Sequence, residues 1–161
     1  MNELTAQRLR ELLHYDPETG LLTRKTTRGG QPTGAIAGNV CTDGRVQVYI
    51  DGRNFKAHRL IWLWVTGQWP VNDVDHKDGI PSNNRWANLR DVPHAVNLQN
   101  RQRAPKHSST GLLGVTKNRG GFGAQIKING KRVWLGTFDT PEEAHRVAID
   151  HKRIHHKGNT L

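Results

Sequence analysis

Residues 74 to 79 read V-D-H-K-D-G, and two of them, Asp75 and His76, are adjacent side chains that can do chemistry. A carboxylate beside an imidazole can act as a metal ligand next to a general base, because an imidazole neutral near physiological pH can take a proton from water. The same string is also an ordinary turn, since Asp78-Gly79 is a turn signal. A regular strand sends neighbouring side chains to opposite faces. Asp75 and His76 can share a site only where the strand ends or bends, and Lys77-Asp78-Gly79 supplies such a break. The pair is common by chance, so the rest of the chain must decide.

The elements around the pair come next. VNDVDH reads as a strand and NLRDV as a second, with the turn-rich DGIPSNNRWA between them. From Pro93 onward, PHAVNLQNRQ reads as a helix, because proline suits the first turn. Residues 73–102 are therefore expected to run strand, long loop, strand, helix.

Upstream, TAQRLRELLH (5–14) places Leu9, Leu12 and Leu13 at helical spacing with Thr5 as N-cap. DPETG is a turn, LLTRK a short strand, and residues 26–44 an irregular loop. RVQVYI and RNFKAH flank Asp51-Gly52, a strong hairpin signal. AHRLIWLWVTG predicts a helix stopped at Gly67, with Leu60, Ile61, Trp64 and Val65 inward and its tryptophans read first as core.

The chain has 161 residues and a formal net charge of +10, with a pI of about 10.4 and a mean hydropathy of -0.73. Residues 1–105 carry 14 Lys and Arg against 10 Asp and Glu, and residues 106–161 carry 10 against 4. A basic surface of this size attracts polyanions, since each neutralised phosphate releases condensed counterions. Nucleic acid is the first partner to consider, and a merely soluble basic protein the plain alternative. The lone Cys41 excludes an internal disulfide and a cysteine zinc cage. No apolar run of about eighteen residues occurs, so no membrane partner is expected. The amphipathic start, MNELTAQRLRELL, is not a signal peptide, and a reducing, cytoplasmic setting fits.

The stretch NRQRAPKHSSTG breaks the hydrophobic pattern and reads as a basic linker over 103–110. Beyond it, GVTKN, FGAQIKI and RVWLGTF are three short strand signals, with Asn129-Gly130 turning between the last two. DTPEEAHRVAIDHKRIH then starts a helix through a capping box, with Thr140 as N-cap, Pro141 at the first position and Glu143 at the third. Three strands and a helix make a small second domain over 111–161.

The segment VDHKDGIPSNNRWANLRDVPHAVNLQN places His76, Asn88 and Asn97 at intervals of twelve and nine residues. It resembles the HNH nuclease family, in particular phage and intron-borne homing endonucleases with V-D-H, then N-N-x-x-x-N-L and a final Asn. The resemblance implies two strands and a helix around one divalent cation per active site. Carried over residue by residue, Asp75 and Asn97 become metal ligands, His76 the base, and Asn88 the residue that ties the loop and orients His76. Phosphodiester hydrolysis needs an activated water, charge stabilisation on the phosphate oxygens and help for the departing 3′ oxygen. A carboxylate and an amide oxygen are hard ligands that suit Mg²⁺ or Mn²⁺ more than zinc. No small-molecule cofactor is expected. Asn83 and Asn84 read as loop supports. His94, one helical turn before Asn97, either faces the metal or meets a phosphate or solvent. Arg85, Arg90 and Arg101 are candidate phosphate contacts, with a solvated surface as the alternative.

GVTKNRGGFGAQIKINGKRVWLGTFDTPEEAHRVAID resembles the AP2 DNA-binding domain, through Gly114-Val115, Ala124-x-Ile126, the run from Val133 to Phe138, and Glu142-Glu143-Ala144 with Ala148. That family lays its three-stranded sheet in the major groove, which is wide enough for strands. By position, Thr116, Gln125, Lys127, Arg132 and Trp134 are the candidate DNA readers, with Lys117 and Arg119 nearby. Phe122, Thr116 and Gln125 stand where the plant members usually show Trp, Arg and Glu, so the plant target sequence does not carry over.

The expected fold class is α+β: a ββα-metal nuclease module over 1–102 with its core at 73–102, then the linker and the AP2-like domain. The expected activity is that of a metal-dependent, site-specific DNA endonuclease acting on double-stranded DNA. By resemblance it is encoded by a phage or mobile element in a bacterial host. The alternative is a DNA-binding regulator whose nuclease-like segment is not catalytic. No heptad or dimerisation stripe is present, so a monomer is expected.

Overall fold

The structure, a computed structural model, describes residues 4–27, 29–101 and 103–156. Gln102, the last residue of the expected nuclease module, and the end of the chain after His156 lie outside the described residues. The chain divides into two compact units, 1–94 and 95–161.

The first unit opens with helix α1 (Ala6–Leu12), whose N-cap Thr5 accepts a hydrogen bond from the Arg8 amide. The helix is shorter than the leucine spacing predicts. Leu13 is already extended and begins strand β1 (Leu13–Asp16), which pairs antiparallel with β2 (Leu21–Arg24). The reason is the period: Leu13 and Tyr15 are both buried while His14 between them is exposed, a strand alternation that takes over from the helical one.

Strands β4 (Val46–Ile50) and β5 (Arg53–Lys56) form the expected hairpin, turned by Asp51 and Gly52 at φ of 44° and 86°. The loop expected over 26–44 contributes one short strand, β3 (Asn39–Val40), which adds to the free edge of β4. Helix α2 (Ala57–Thr66) follows β5 directly and ends on Gly67, which is left-handed at φ 79°. It buries Ala57, His58, Leu60, Ile61 and Leu63, while Trp62 and Trp64 are only partly buried. The core of this unit gathers Leu9, Leu13, Tyr15, Val48, Leu60 and Ile61, with Val74 and Leu89 reaching it from the hairpin of β6 (Asp73–His76) and β7 (Leu89–Val92). A single 3-10 turn, Trp86–Asn88, leads into β7, and helix α3 (His94–Gln99) follows it.

The second unit is a three-stranded antiparallel sheet, ordered β10-β9-β8, with one long helix. Its strands are β8 (Val115–Asn118), β9 (Gly121–Ile128) and β10 (Lys131–Phe138). Asn129 and Gly130 turn the second hairpin at φ of 48° and 81°. Helix α4 (Pro141–His155) starts on Thr140, whose hydroxyl accepts from the Glu143 amide at 3.3 Å. Ala144 and Ala148 of α4 pack with Val115, Ala124 and Ile126 to make a small core.

Candidate functional site

In the hairpin of β6 and β7, Asp75 faces Arg90 and His76 faces Leu89. The strand stops at His76: the Lys77 amide donates to the Asn88 carbonyl at 2.9 Å and the Gly79 amide to the His76 carbonyl at 3.0 Å. Asp75 and His76 therefore sit at the last two positions of a strand that turns immediately afterwards. Both are buried.

The loop between the strands is a network of carboxylate and amide side chains. Asn88 donates from Nδ2 to Asp78 Oδ1 (3.0 Å) and to the Asn83 carbonyl (2.7 Å), and accepts from the Asp78 amide (3.1 Å). Asn83 donates to the other Asp78 oxygen at 2.6 Å. Desolvation pushes the Asp78 carboxyl up, but the hydrogen bonds from the Ile80 amide, Asn83 and Asn88 outweigh it and hold its pKa below the ordinary value. Asn88 thus closes the loop.

The Asn84 side chain reaches the His76 ring. His76 Nε2 and Asn84 Oδ1 are 3.0 Å apart. The Asn84 amide nitrogen is turned to the Ser82 carbonyl at 3.4 Å, so its oxygen faces the imidazole. An amide oxygen only accepts, so His76 Nε2 carries the hydrogen and the lone pair stays on Nδ1. Asn88 makes no such contact; its link to His76 runs through the loop.

A remote element holds Asn84 in turn. Tyr15, from the first hairpin, donates its hydroxyl to the Asn84 carbonyl at 2.8 Å, and burial pushes that phenol up to about 12. Arg85 Nε donates to the Glu18 carbonyl at 2.6 Å and the Trp86 amide to that of Pro17 at 3.3 Å. Gly20, at φ 77°, lies so close that a Cβ there would come within 2.6 Å of the Asn84 and Arg85 backbone. The turn of the β1–β2 hairpin is therefore the buttress of the His76 loop, a role no local pattern announced.

The remaining expected residues fall as follows. Arg90 Nε and Nη2 donate to Asp75 Oδ2 at 3.0 and 2.7 Å, across the hairpin and not on an exposed edge. His94, largely exposed, pairs through Nδ1 with Asp73 Oδ2 at 2.7 Å. Asn97 stands on α3 and belongs to the second unit, as does Arg101, whose carbonyl accepts from Lys152 Nζ. The hairpin itself gathers Asp75, His76, Asn84 and Asn88.

On the second unit's sheet, pairing sets Trp134 opposite Gln125 and Arg132 opposite Lys127, with Thr116 opposite Gly123. Directly opposed residues share a face, so these side chains lie together on one side, while Ala124 and Ile126 face α4. Lys117 and Arg119, also exposed, are at and just beyond the end of β8. Trp134 is half exposed and lies over Gly123, where an added Cβ would come within 1.9 Å of its ring. The glycine is the bed on which the indole rests.

In the first unit, Asp75 offers a carboxylate of the kind a hard divalent cation takes. Among the described residues, no group of three or more His, Cys, Asp or Glu side chains could hold a metal ion. Also among the described residues, no helix is long and apolar enough to cross a membrane.

No curated protein is similar enough in sequence to match. A solved structure of the HNH homing endonuclease I-HmuI, described for DNA binding and cleavage, is similar at 26% identity and a TM-score of 0.44, over 62% of this chain. The chain spans 57% of the length of that protein. Residues 55–99 match the family model of the HNH endonuclease, a family that generally uses divalent metal ions. The matched stretch runs from within β5 to the end of α3 and includes the Asp75–His76 hairpin, so this segment is similar to the HNH endonuclease family.

Proposed function

We propose that the protein is a divalent-metal-dependent, site-specific DNA endonuclease of the homing type, with hydrolysis in the first unit and DNA recognition on the sheet of the second. The observation that carries the catalytic half is the hydrogen bond between His76 and Asn84, which leaves the lone pair on His76 Nδ1. That nitrogen takes a proton from water as the water oxygen bonds to phosphorus, and the bond from phosphorus to the 3′ oxygen breaks. Asp75 would supply a carboxylate to the cation. What a bound cation supplies is stabilisation of charge on the phosphate oxygens and on the leaving oxygen.

The recognition half rests on the face of Trp134, Arg132, Lys127, Gln125 and Thr116. A three-stranded sheet with one helix is the arrangement that the AP2 resemblance implies. Cations and an indole on one open face suit a groove lined by phosphates. A DNA-binding regulator without cleavage draws support from one contact, the Arg90 guanidinium already on Asp75 Oδ2.

Supercoiled plasmid incubated with the full chain separates the two. The endonuclease relaxes or linearises it with Mg²⁺ or Mn²⁺ and leaves it intact in EDTA. Supercoiled DNA that persists with metal, at protein concentrations where a gel shift shows binding, makes the protein a regulator. His76→Ala is expected to lower cutting by about 10²- to 10⁴-fold, the range general base catalysis supplies, with binding kept. Trp134→Ala is expected to weaken binding instead, and exchanged effects would sink the assignment of the two units.

A further inference from the structure

Helix α2 begins with Ala57 and His58, directly after β5. His58 is buried along with the aliphatic residues that follow it, yet its Nδ1 has no hydrogen-bond partner among the described residues. A buried polar atom without a partner costs stability, and a leucine or phenylalanine at this position would avoid that cost. The charged groups that act on it, Arg45, Lys56 and Arg59, are all cationic. Burial first, and then His76 and these cations, lower the His58 pKa to about 3, so the ring is neutral.

What the ring does touch is His76. The two imidazoles meet edge to face, with centroids 5.2 Å apart and planes at 82°. The hydrogen bond to Asn84 holds one corner of the His76 ring, and a single hydrogen bond fixes a point rather than a plane. The contact with His58 lies across the ring and bears on its plane. The helix that brings it is locked in place by Leu60, Ile61 and Leu63, all in the core.

We infer that His58 is a positioning residue for His76: packed across the imidazole, it joins Asn84 in setting the ring plane, so that Nδ1 is aimed at the attacking water. The inference rests on the reading of His76 as the base. It assigns His58 no contact with DNA and no share in proton transfer. A ring of similar shape should serve in its place.

The test uses the full chain with supercoiled plasmid and Mg²⁺, comparing His58→Ala, His58→Phe and His76→Ala by maximal cutting rate and by the protein concentration for half-maximal binding. His58→Ala is expected to slow cutting about 10- to 100-fold, the loss that misplacing a reacting group produces. Its binding should stay within about twofold of the parent. His58→Phe should recover most of the rate, because the ring contact is restored without the imidazole nitrogens. A folded His58→Ala that cuts at the parental rate overturns the inference, as does a folded His58→Phe that is as slow as His76→Ala. Should His58→Ala fail to fold, His58→Phe decides by the same criterion. If His76→Ala itself cuts like the parent, the base assignment has failed and the positioning role falls with it.

Discussion

In the first unit the side chains that would do chemistry are buried: Asp75, His76 and Asn84 keep 8%, 7% and 3% of their exposure, whereas Trp134 on the second unit's sheet keeps 51%. The buried group is held from several sides, by β7 through Arg90, by α2 through His58 and by the first hairpin through Tyr15 and Gly20. The sheet face needs no such scaffolding, because strand alternation and two tight hairpins already aim its residues outward. The contrast follows from the two tasks. A proton transfer depends on the placement of one atom, while recognition of DNA draws on many contacts spread over an open face. Substitutions around His76 should therefore change the rate of cutting, and substitutions on the sheet should change affinity.

The sharpest way to break that contrast is to separate the two asparagines of the loop. Asn84→Ala removes the acceptor that fixes the His76 tautomer. It should lower the cutting rate about 10- to 100-fold, as loss of an orienting partner does at other catalytic sites, while DNA binding is retained. Asn84→Asp keeps an acceptor and should keep more of the rate. Asn88→Ala instead opens the loop and strands Asp78, the Asn83 carbonyl and their partners. It should cost about 1–3 kcal/mol of stability, the penalty of unsatisfied buried polar groups, visible as a lower Tm. If Asn88→Ala cuts slowly with an unchanged Tm and Asn84→Ala is merely unstable, the roles are reversed.

That distinction was not legible beforehand. The N-N-x-x-x-N spacing marks a tied loop, and Asn88 ties it, but nothing in the string says which amide turns toward the imidazole. The choice depends on Tyr15 and on the turn at Gly20, which lie more than sixty residues earlier. His58 escapes a local reading for the same reason, since its helix reads as a core stripe and its meeting with His76 is a tertiary event. Local signals fared differently. Asp51-Gly52 and Asn129-Gly130 announced their hairpins because both residues of each turn must adopt positive φ, which few residue pairs tolerate. The overlong α1 marks the boundary between the two kinds: Leu13 satisfies the helical spacing, but pairing with β2 overrides it.

On the sheet, the corresponding intervention is Gly123→Ala. The backbone there is outside the left-handed region, so the methyl acts by displacing the side chains that would meet it, the Trp134 ring first and the Asn118 amide second. DNA affinity should fall about three- to tenfold, a part of the roughly 2 kcal/mol that an aromatic anchor supplies at an interface. Cutting at saturating protein should be unchanged. A loss of maximal rate with affinity preserved would mean that the sheet takes part in more than recognition.

The last expected effect concerns stability and distinguishes the two units by pH. Lys152 on α4 is buried, with its ammonium donating to the Arg101 carbonyl. Desolvation first, and the Arg101 charge second, lower its pKa from 10.5 to about 8. Between these values the unfolded chain binds the proton and the folded one does not, so the second unit should gain stability as pH rises from about 8 toward 10.5. In the first unit the folded pKa of His58 is about 3 against an ordinary 6.5, so that unit should lose stability as pH falls below 6.5. Hydrogen exchange resolved by peptide would report the two windows separately. Lys152→Met should flatten the alkaline slope in peptides from 115–155 and leave the acid slope of the first unit alone. An alkaline slope that survives the substitution would place its origin in a group other than this lysine.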